Sequence, residues 1–127
     1  MRELLLVGSG GFVGSVARFL LAGVVTHASA GSRFPFGTLA VNTVGCLVIG
    51  VLSGLAEHSG VFTPNVRLLL FTGVLGGFTT FSAFAFETWF LGHEHAWLLA
   101  GANIVAQVTL GIAAVWIGHQ GLILASR

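Results

Sequence analysis

A motif of glycines, threonines and aromatic residues interrupts an otherwise apolar run. Residues 76–84 read GGFTTFSAF near the centre of the run 66–91. Glycine and β-branched threonine both disfavour a helix interior, so the motif predicts a helix broken over residues 76–80. Inside a bilayer, the peptide carbonyls released by such a break need a partner from protein, water or an ion. The motif therefore predicts an ion-binding site.

The spacing of this motif places the predicted break near the middle of a membrane. The flanking segments 66–75 and 81–91 are each about 15 Å long as helices. Each would therefore span about half of a hydrocarbon core that is about 30 Å thick. Interrupted helices at this depth hold ions through freed carbonyls and helix-dipole ends.

Asn42 is a polar side chain in a second apolar segment. Thr38, Asn42 and Gly45 follow the i, i+4, i+7 spacing and share one helix face. Two interpretations fit this face: an interhelical hydrogen bond beside a close-packing glycine, or an amide NH2 donor directed into an anion pathway. The face alone favours the packing interpretation.

An aromatic stripe follows the predicted break. Phe81 and Phe84 lie three residues apart on one helix face, with Phe78 one turn earlier. Such a stripe usually packs against lipid or core, but the edge of an aromatic ring carries partial positive charge. Rings presented edge-on could line an anion pathway, to which the hydroxyls of Ser82 and the neighbouring threonines would add donors.

The sequence does not decide the roles of several other polar residues in the apolar segments. Arg18 in the first segment could extend to the interface, pair with a glutamate or set a positive potential at a vestibule. Glu87 could carry a proton, pair with an arginine or lie at the interface. Asn103 and Gln107 begin a stripe of polar and small residues on the fourth segment, which suits either helix packing or a polar pathway.

The composition identifies the elements that must hold these residues. The chain has 127 residues, of which 55% are hydrophobic and 7% charged, and its formal net charge is +1. Because about 25% of residues are charged in soluble domains, the composition predicts an all-α integral membrane protein. Four transmembrane helices at 4–26, 38–57, 66–91 and 96–124 account for nearly the whole chain. We expect a single transmembrane domain over residues 1–127, surrounded by the lipid bilayer.

Several activities are disfavoured by the same inventory. No basic run is present to hold nucleic acid, and no nucleophile–base pair or nucleotide loop appears, so an enzyme is not expected. His93, Glu94 and His95 fall in a short surface loop without a further metal ligand at regular spacing. Cys46, the single cysteine, is expected to pack as a small apolar residue.

The distribution of arginines gives the chain little preference for one orientation. With four spans, Arg2, Arg67 and Arg127 lie on one side of the membrane and Arg33 on the other, and the chain has no lysine. Such a weak bias permits insertion in both orientations. Four short helices also enclose little space, so we expect a pore or carrier to require a second, oppositely oriented copy.

Three motifs together resemble one known family. They are GFVGSVARF at 11–19, GTLAVN at 37–42 and GGFTTFSAFAFE at 76–87, in order across essentially the whole chain. This pattern is similar to that of the Fluc (CrcB-like) family of fluoride channels. The resemblance implies a dual-topology antiparallel homodimer with two fluoride pathways and a structural sodium ion (Na+) at its interface.

By motif position, the resemblance also implies roles for individual residues. Main-chain oxygens of Gly76 and Thr79 from each subunit would hold the sodium ion. Phe81 and Phe84 would form the phenylalanine pair of the fluoride pathway, and Asn42 would be its donor.

One departure from the family pattern concerns the fourth span. Family members often carry a tyrosine and serines there, whereas this chain has no tyrosine. Asn103 and Gln107 are expected to take their place in the polar pathway along the fourth span.

The resulting hypothesis is a passive, fluoride-specific channel that exports cytoplasmic fluoride across the cell (inner or plasma) membrane. The alternative is a small dual-topology, proton-coupled transporter of cations or drugs. That class needs an intramembrane carboxylate, for which Glu87 is the candidate. A third interpretation is a membrane subunit that contributes packing alone.

Overall fold

The computed structural model describes residues 1–59 and 62–125, and all regular structure within them is helical. The last two residues of the predicted domain, and part of the connection after the second span, lie outside the described residues. We number five helices in chain order: α1 is Arg2–Ala28, α2 is Phe36–Ser59, α3 covers residues 64–78, α4 is Phe81–His93 and α5 is Trp97–Ala125.

Four helical segments are long and apolar enough to cross a membrane. They are Arg2–Ala28, Phe36–Glu57, Pro64–His93 and Trp97–Gly121, which confirms the predicted set of four spans. The third segment joins α3 and α4 across a short non-helical step. Large apolar side chains such as Phe19 and Leu98 are exposed on the outside of the helices, as expected where helices face lipid.

Local sequence signals set the helix ends. At the start of α3, the Thr63 hydroxyl accepts a hydrogen bond from the Val66 N–H at 3.4 Å. Pro64 occupies the first helical position, where no N–H partner is needed. In the connection between α1 and α2, Gly31 has a φ of 93°, a left-handed conformation that glycine adopts without steric cost.

Glycines let helix backbones touch at the two main packing contacts. α1 packs against α3, and α2 packs against α5. A methyl group on Gly14 would lie 2.0 Å from the Val74 carbonyl oxygen, and one on Gly118 would lie 2.4 Å from that of Leu47. Close van der Waals packing of this kind is a main source of helix association in lipid. We call the α1–α3 contact the glycine seam; it contains Gly10, Gly14, Gly73 and Gly77.

The helix break is shorter than predicted. Gly76–Phe78 is α-helical, with φ −63° and ψ −36° at Gly76, so the prediction of a break over residues 76–80 was wrong for the two glycines. Only Thr79 and Thr80 are extended, with ψ values of 158° and 112°.

Packing explains why the glycine pair stays helical. A side chain on Gly77 would place its Cβ 2.5 Å from the carbonyl oxygen of Gly11 on α1. The absence of a side chain therefore lets α3 lie against α1, and this contact supports the helix that glycine's own propensity disfavours.

A π-helical stretch, Leu68–Leu75, precedes the break and had no sequence signal. In such a stretch each N–H bonds to the carbonyl five residues back. At its end, the Thr79 N–H and hydroxyl both donate to the Leu75 carbonyl at 3.0 Å. The Thr80 hydroxyl then accepts from the Ala83 N–H at 3.2 Å and caps α4. The two threonines thus end one helix and begin the next.

Candidate functional site

A cavity of about 410 Å³ lies beside the helix break, and α2, α3, α4 and α5 all contribute to its wall. Phe81 on this wall is 78% exposed, so the cavity opens at the surface of the chain. We call it the break cavity. Six of the candidate site residues predicted from the sequence line it: Asn42, Gly76, Thr79, Phe81, Phe84 and Gln107.

Asn42 forms hydrogen bonds with both backbone groups of the extended residue Thr80. Its Oδ1 accepts from the Thr80 N–H at 2.8 Å, and its Nδ2 donates to the Thr80 carbonyl at 3.1 Å. Nδ2 also donates to Oε1 of Gln107 at 3.1 Å. This one side chain therefore connects α2 to the break and to α5.

The carbonyls of Gly76 and Thr79 lack their helical hydrogen-bond donors. In a continuous helix, the N–H groups of Thr80 and Ala83 would bond to them. Here the Thr80 N–H bonds to Asn42, and the Ala83 N–H bonds to the Thr80 hydroxyl. Within residues 1–59 and 62–125, no other hydrogen bond is recorded on either carbonyl. Neutral oxygens of this kind, freed at a helix break, fit the needs of a sodium ion.

Phe81 and Phe84 contact each other edge to face at the cavity wall. Their ring centroids are 5.4 Å apart, and the ring planes are inclined at 65°. In this arrangement the positive edge of one ring meets the negative face of the other. The Ser82 hydroxyl lies 3.2 Å from that of Thr80, but Ser82 is not among the described residues that line the break cavity.

Glu87 and Asn103 lie away from the break cavity. Glu87 accepts a hydrogen bond from the Thr38 hydroxyl, and it lines a second cavity, of about 390 Å³, together with Arg33. Asn103 is fully buried, and its Nδ2 donates to the Thr88 hydroxyl at 2.9 Å. The structure therefore does not bring these two candidates to the break.

Three buried polar atoms have no hydrogen-bond partner among the described residues: Gln107 Nε2, Asn103 Oδ1 and Glu87 Oε2. Because folded proteins leave few buried polar atoms unpaired, each of them needs an explanation such as a ligand or water. All three belong to the region where α2, α4 and α5 meet. We call this region the polar seam; it contains Thr38, Asn42, Glu87, Thr88, Asn103 and Gln107.

Arg18 and Cys46, two further residues named from the sequence, differ in their relation to the break cavity. Arg18 is half-buried on α1 and, within the described part of the chain, lines neither of these cavities. Cys46, which we expected only to pack as a small apolar residue, lines the break cavity one turn after Asn42. The i, i+4 spacing from Asn42 is the sequence signal that identifies its position on the same face.

Comparison with known proteins decides the family. The profile of the family described as CrcB-like protein, Camphor Resistance (CrcB), matches residues 5–119. The chain belongs to the CrcB family. The resemblance inferred from the three motifs is therefore confirmed.

Relatives of this CrcB-family chain carry a functional name. A protein of Methylobacillus flagellatus named fluoride-specific ion channel FluC is 48% identical over 120 residues, which cover 94% of each chain. Proteins with the same name from Nitratidesulfovibrio vulgaris and Chlorobium phaeobacteroides are 43% and 45% identical over 118 and 117 residues. The alignment with the Nitratidesulfovibrio vulgaris protein covers 93% of this chain and 94% of the relative. The alignment with the Chlorobium phaeobacteroides protein covers 92% of this chain and 90% of the relative. The names describe ion channels, which agrees with the expectation that the chain is not an enzyme.

Proposed function

We propose that this chain is a fluoride channel, with a conduction lane that passes through the break cavity. The observation that carries the proposal is the gathering of Asn42, Phe81 and Phe84 in one cavity wall, in a chain whose relatives are named fluoride-specific ion channels. Ser82, one residue beyond Phe81, supplies a further hydroxyl at the edge of the lane.

The chemistry of the cavity suits fluoride. Fluoride is small and strongly hydrated, so a pore must replace its water with compact donors and still release it. The break cavity offers amide and hydroxyl groups and ring edges, and its described lining contains no acidic or basic residue. No side chain in that described lining carries a fixed positive charge that would trap an anion.

The break cavity is completed, in this proposal, by a second copy of the chain. One copy leaves Phe81 78% exposed at the cavity opening. An antiparallel partner would cover this opening and form the second of two lanes, as the weak arginine bias allows. Labelling of Ser32→Cys in a Cys46→Ala background should then occur from both sides of the membrane. Exclusive labelling from one side would contradict the dual topology.

A sodium ion at the centre of this dimer would use the orphaned carbonyls of Gly76 and Thr79. Two copies contribute four such oxygens, and a cation would compensate their partial charges in a region without water. The ion is structural in this proposal, and the fluoride flux is passive. Replacing sodium by N-methylglucamine during purification should reduce dimer stability in a thermal unfolding assay, and an unchanged unfolding temperature would count against the site.

The proposed midplane position of the break places the lane in a multi-pass protein of the cell (inner or plasma) membrane, where it would export cytoplasmic fluoride. Purified protein in liposomes should release loaded fluoride, measured with an ion-selective electrode, and should release chloride at least about a hundredfold more slowly because weakly hydrated, larger anions fit the donors poorly. Comparable chloride release, or no fluoride release from a folded dimer, would refute the proposal. Uptake of ethidium driven by a pH gradient would instead indicate the proton-coupled transporter.

A further inference from the structure

Phe71 is the first residue of α3 in the described wall of the break cavity. From the break, the cavity runs back along α3 through Leu75 to Phe71, and along α2 from Asn42 to Ile49. Because α2 ends where the connection to α3 begins, both helices lead toward that connection. The cavity therefore extends from the break toward the end of the bundle at which α3 starts.

The Phe71 ring is in contact with a cation and with a second ring. The guanidinium carbon of Arg67, one turn earlier on α3, lies over the ring at 5.9 Å from its centroid. Phe62, in the connection, meets the ring edge to face, with centroids 6.3 Å apart and ring planes inclined at 77°. A guanidinium group is attracted to the negative face of an aromatic ring. The ring that lines the cavity thus holds a positive charge next to the cavity wall.

The charge of Arg67 is not neutralised by an acidic side chain of the described chain. Arg67 is exposed, and within residues 1–59 and 62–125 no carboxylate forms an ion pair with it. Glu57, near the end of α2, contacts His119 instead, with Oε2 and Nε2 3.1 Å apart. A cation near the N-terminal end of a helix is also disfavoured by the helix dipole. The stability of α3 therefore does not explain an arginine at this position.

From these contacts we infer that Arg67 attracts fluoride into the break cavity at the end lined by Phe71. The inference rests on the proposed fluoride channel and adds to it the residue that draws the ion to the conduction lane. A charge beside a cleft with apolar walls raises the local concentration of oppositely charged ions. Arg67 is not part of the described cavity wall, since the Phe71 ring stands there. The ion is therefore attracted without forming a charge-assisted hydrogen bond that would retain it.

The competing role for Arg67 is that of an interfacial anchor. Arginines at the ends of membrane spans often extend their charged group to the membrane surface while the stem packs on apolar groups. An anchor acts on the folding and position of the chain. Attraction of an ion from solution is instead weakened by dissolved salt, because salt shortens the range of the charge. The dependence of fluoride entry on ionic strength therefore separates the two roles.

A series of charges at Arg67 tests the inference. Fluoride efflux from liposomes is measured at subsaturating fluoride, with sodium gluconate setting the ionic strength to about 0.1 M or about 1 M. At the lower value, Arg67→Lys should stay within about twofold of the unaltered chain, Arg67→Gln should fall about threefold and Arg67→Glu about tenfold. At the higher value these differences should disappear, because the Debye length falls from about 10 Å to about 3 Å.

A matched control is Asn65→Asp, which lowers the net charge by one unit, as Arg67→Gln does. Asn65 lies nearly opposite Arg67 on the helix, since two residues are about 200° apart, and it is outside the described cavity wall. Its efflux should match that of the unaltered chain at both ionic strengths. An equal loss in Asn65→Asp and Arg67→Gln would indicate a general surface potential and would overturn the inference.

A second variant keeps the test decisive if changes at Arg67 prevent folding, as judged by size-exclusion chromatography. Phe71→Leu removes the ring that holds the guanidinium group, so efflux should fall about twofold at the lower ionic strength and recover at the higher one. Unchanged efflux, or a loss that persists at high ionic strength, would overturn the role assigned to this pair.

The inference and the proposed function fail in different ways. An unaltered chain that conducts no fluoride defeats the proposed function. A conducting chain whose Arg67→Gln variant loses the same flux at both ionic strengths, or loses none, defeats only the role of Arg67.

Discussion

The glycine seam and the polar seam of this small bundle are built on opposite principles. In the glycine seam, backbones of α1 and α3 touch directly, and the one side-chain hydrogen bond recorded between them in the described chain is a long 3.5 Å contact from Ser15 to the Gly77 carbonyl. In the polar seam, amides and hydroxyls of α2, α4 and α5 form short hydrogen bonds. One interface has few polar contacts, and the other contains the three unpartnered buried polar atoms.

The difference shows how a helix break can be held rigidly and still present groups that bind a ligand. The glycine seam holds the helix up to Phe78 by packing, and none of the three unpartnered buried side-chain atoms among the described residues lies in it. The polar seam holds the next residues, Thr79 and Thr80, through Asn42, and this arrangement leaves the carbonyl of Gly76 without its helical donor. The glycine seam therefore fixes the helix before the break, and the polar seam supplies the groups that can bind a ligand.

The largest effect is expected from filling the glycine seam. In Gly14→Leu, the Cβ would lie 2.0 Å from the Val74 carbonyl oxygen, a backbone atom that cannot move aside without separating α1 from α3. We expect no folded protein in size-exclusion chromatography. Gly23→Leu on the same helix is the control, because nothing lies within 4 Å of a Cβ at Gly23. A folded, stable Gly14→Leu variant would show that this seam is not needed.

The next effect comes from placing a negative charge in the polar seam. Asn42→Asp keeps an acceptor for the Thr80 N–H but loses both donated bonds, and a carboxylate would repel an anion in the lane. Fluoride efflux should fall by about a hundredfold or more, because two charges at close range interact by several kcal/mol in this environment. Asn65→Asp, the same change in the first turn of α3, should conduct normally. Near-normal efflux from Asn42→Asp would remove Asn42 from the lane.

A smaller effect is expected from the aromatic pair. Phe81→Ile and Phe84→Ile keep apolar bulk but remove the polar ring edge, which contributes about 0.5–1.5 kcal/mol in aromatic contacts. Efflux should fall by about threefold to tenfold while the dimer stays folded, since 1.4 kcal/mol corresponds to a factor of ten. Phe86→Ile, an exposed ring on α4 outside the break cavity, serves as the comparison. Equal losses in all three variants would assign these rings to packing.

Four residues that the sequence singled out line the break cavity, while their roles there stay a prediction. Asn42, Phe81, Phe84 and Gln107 were chosen as polar or aromatic groups at helical spacing in apolar segments, and each lines the break cavity. The same reasoning misplaced the start of the break, because glycine propensity was weighed without the contact between Gly77 and Gly11 that overrides it. It also grouped Asn103 with Gln107, although Asn103 is engaged with Thr88 outside this cavity.

Composition and the lengths of the apolar runs by themselves determine that this chain crosses a membrane four times, since each run matches the hydrocarbon thickness and few charges interrupt it. The motifs by themselves determine the family. Only the tertiary structure decides where the helix breaks and which amide nitrogen stays free. An amide can present either its donor or its acceptor, and the side it presents depends on backbone groups supplied by other helices, such as Thr80 opposite Asn42.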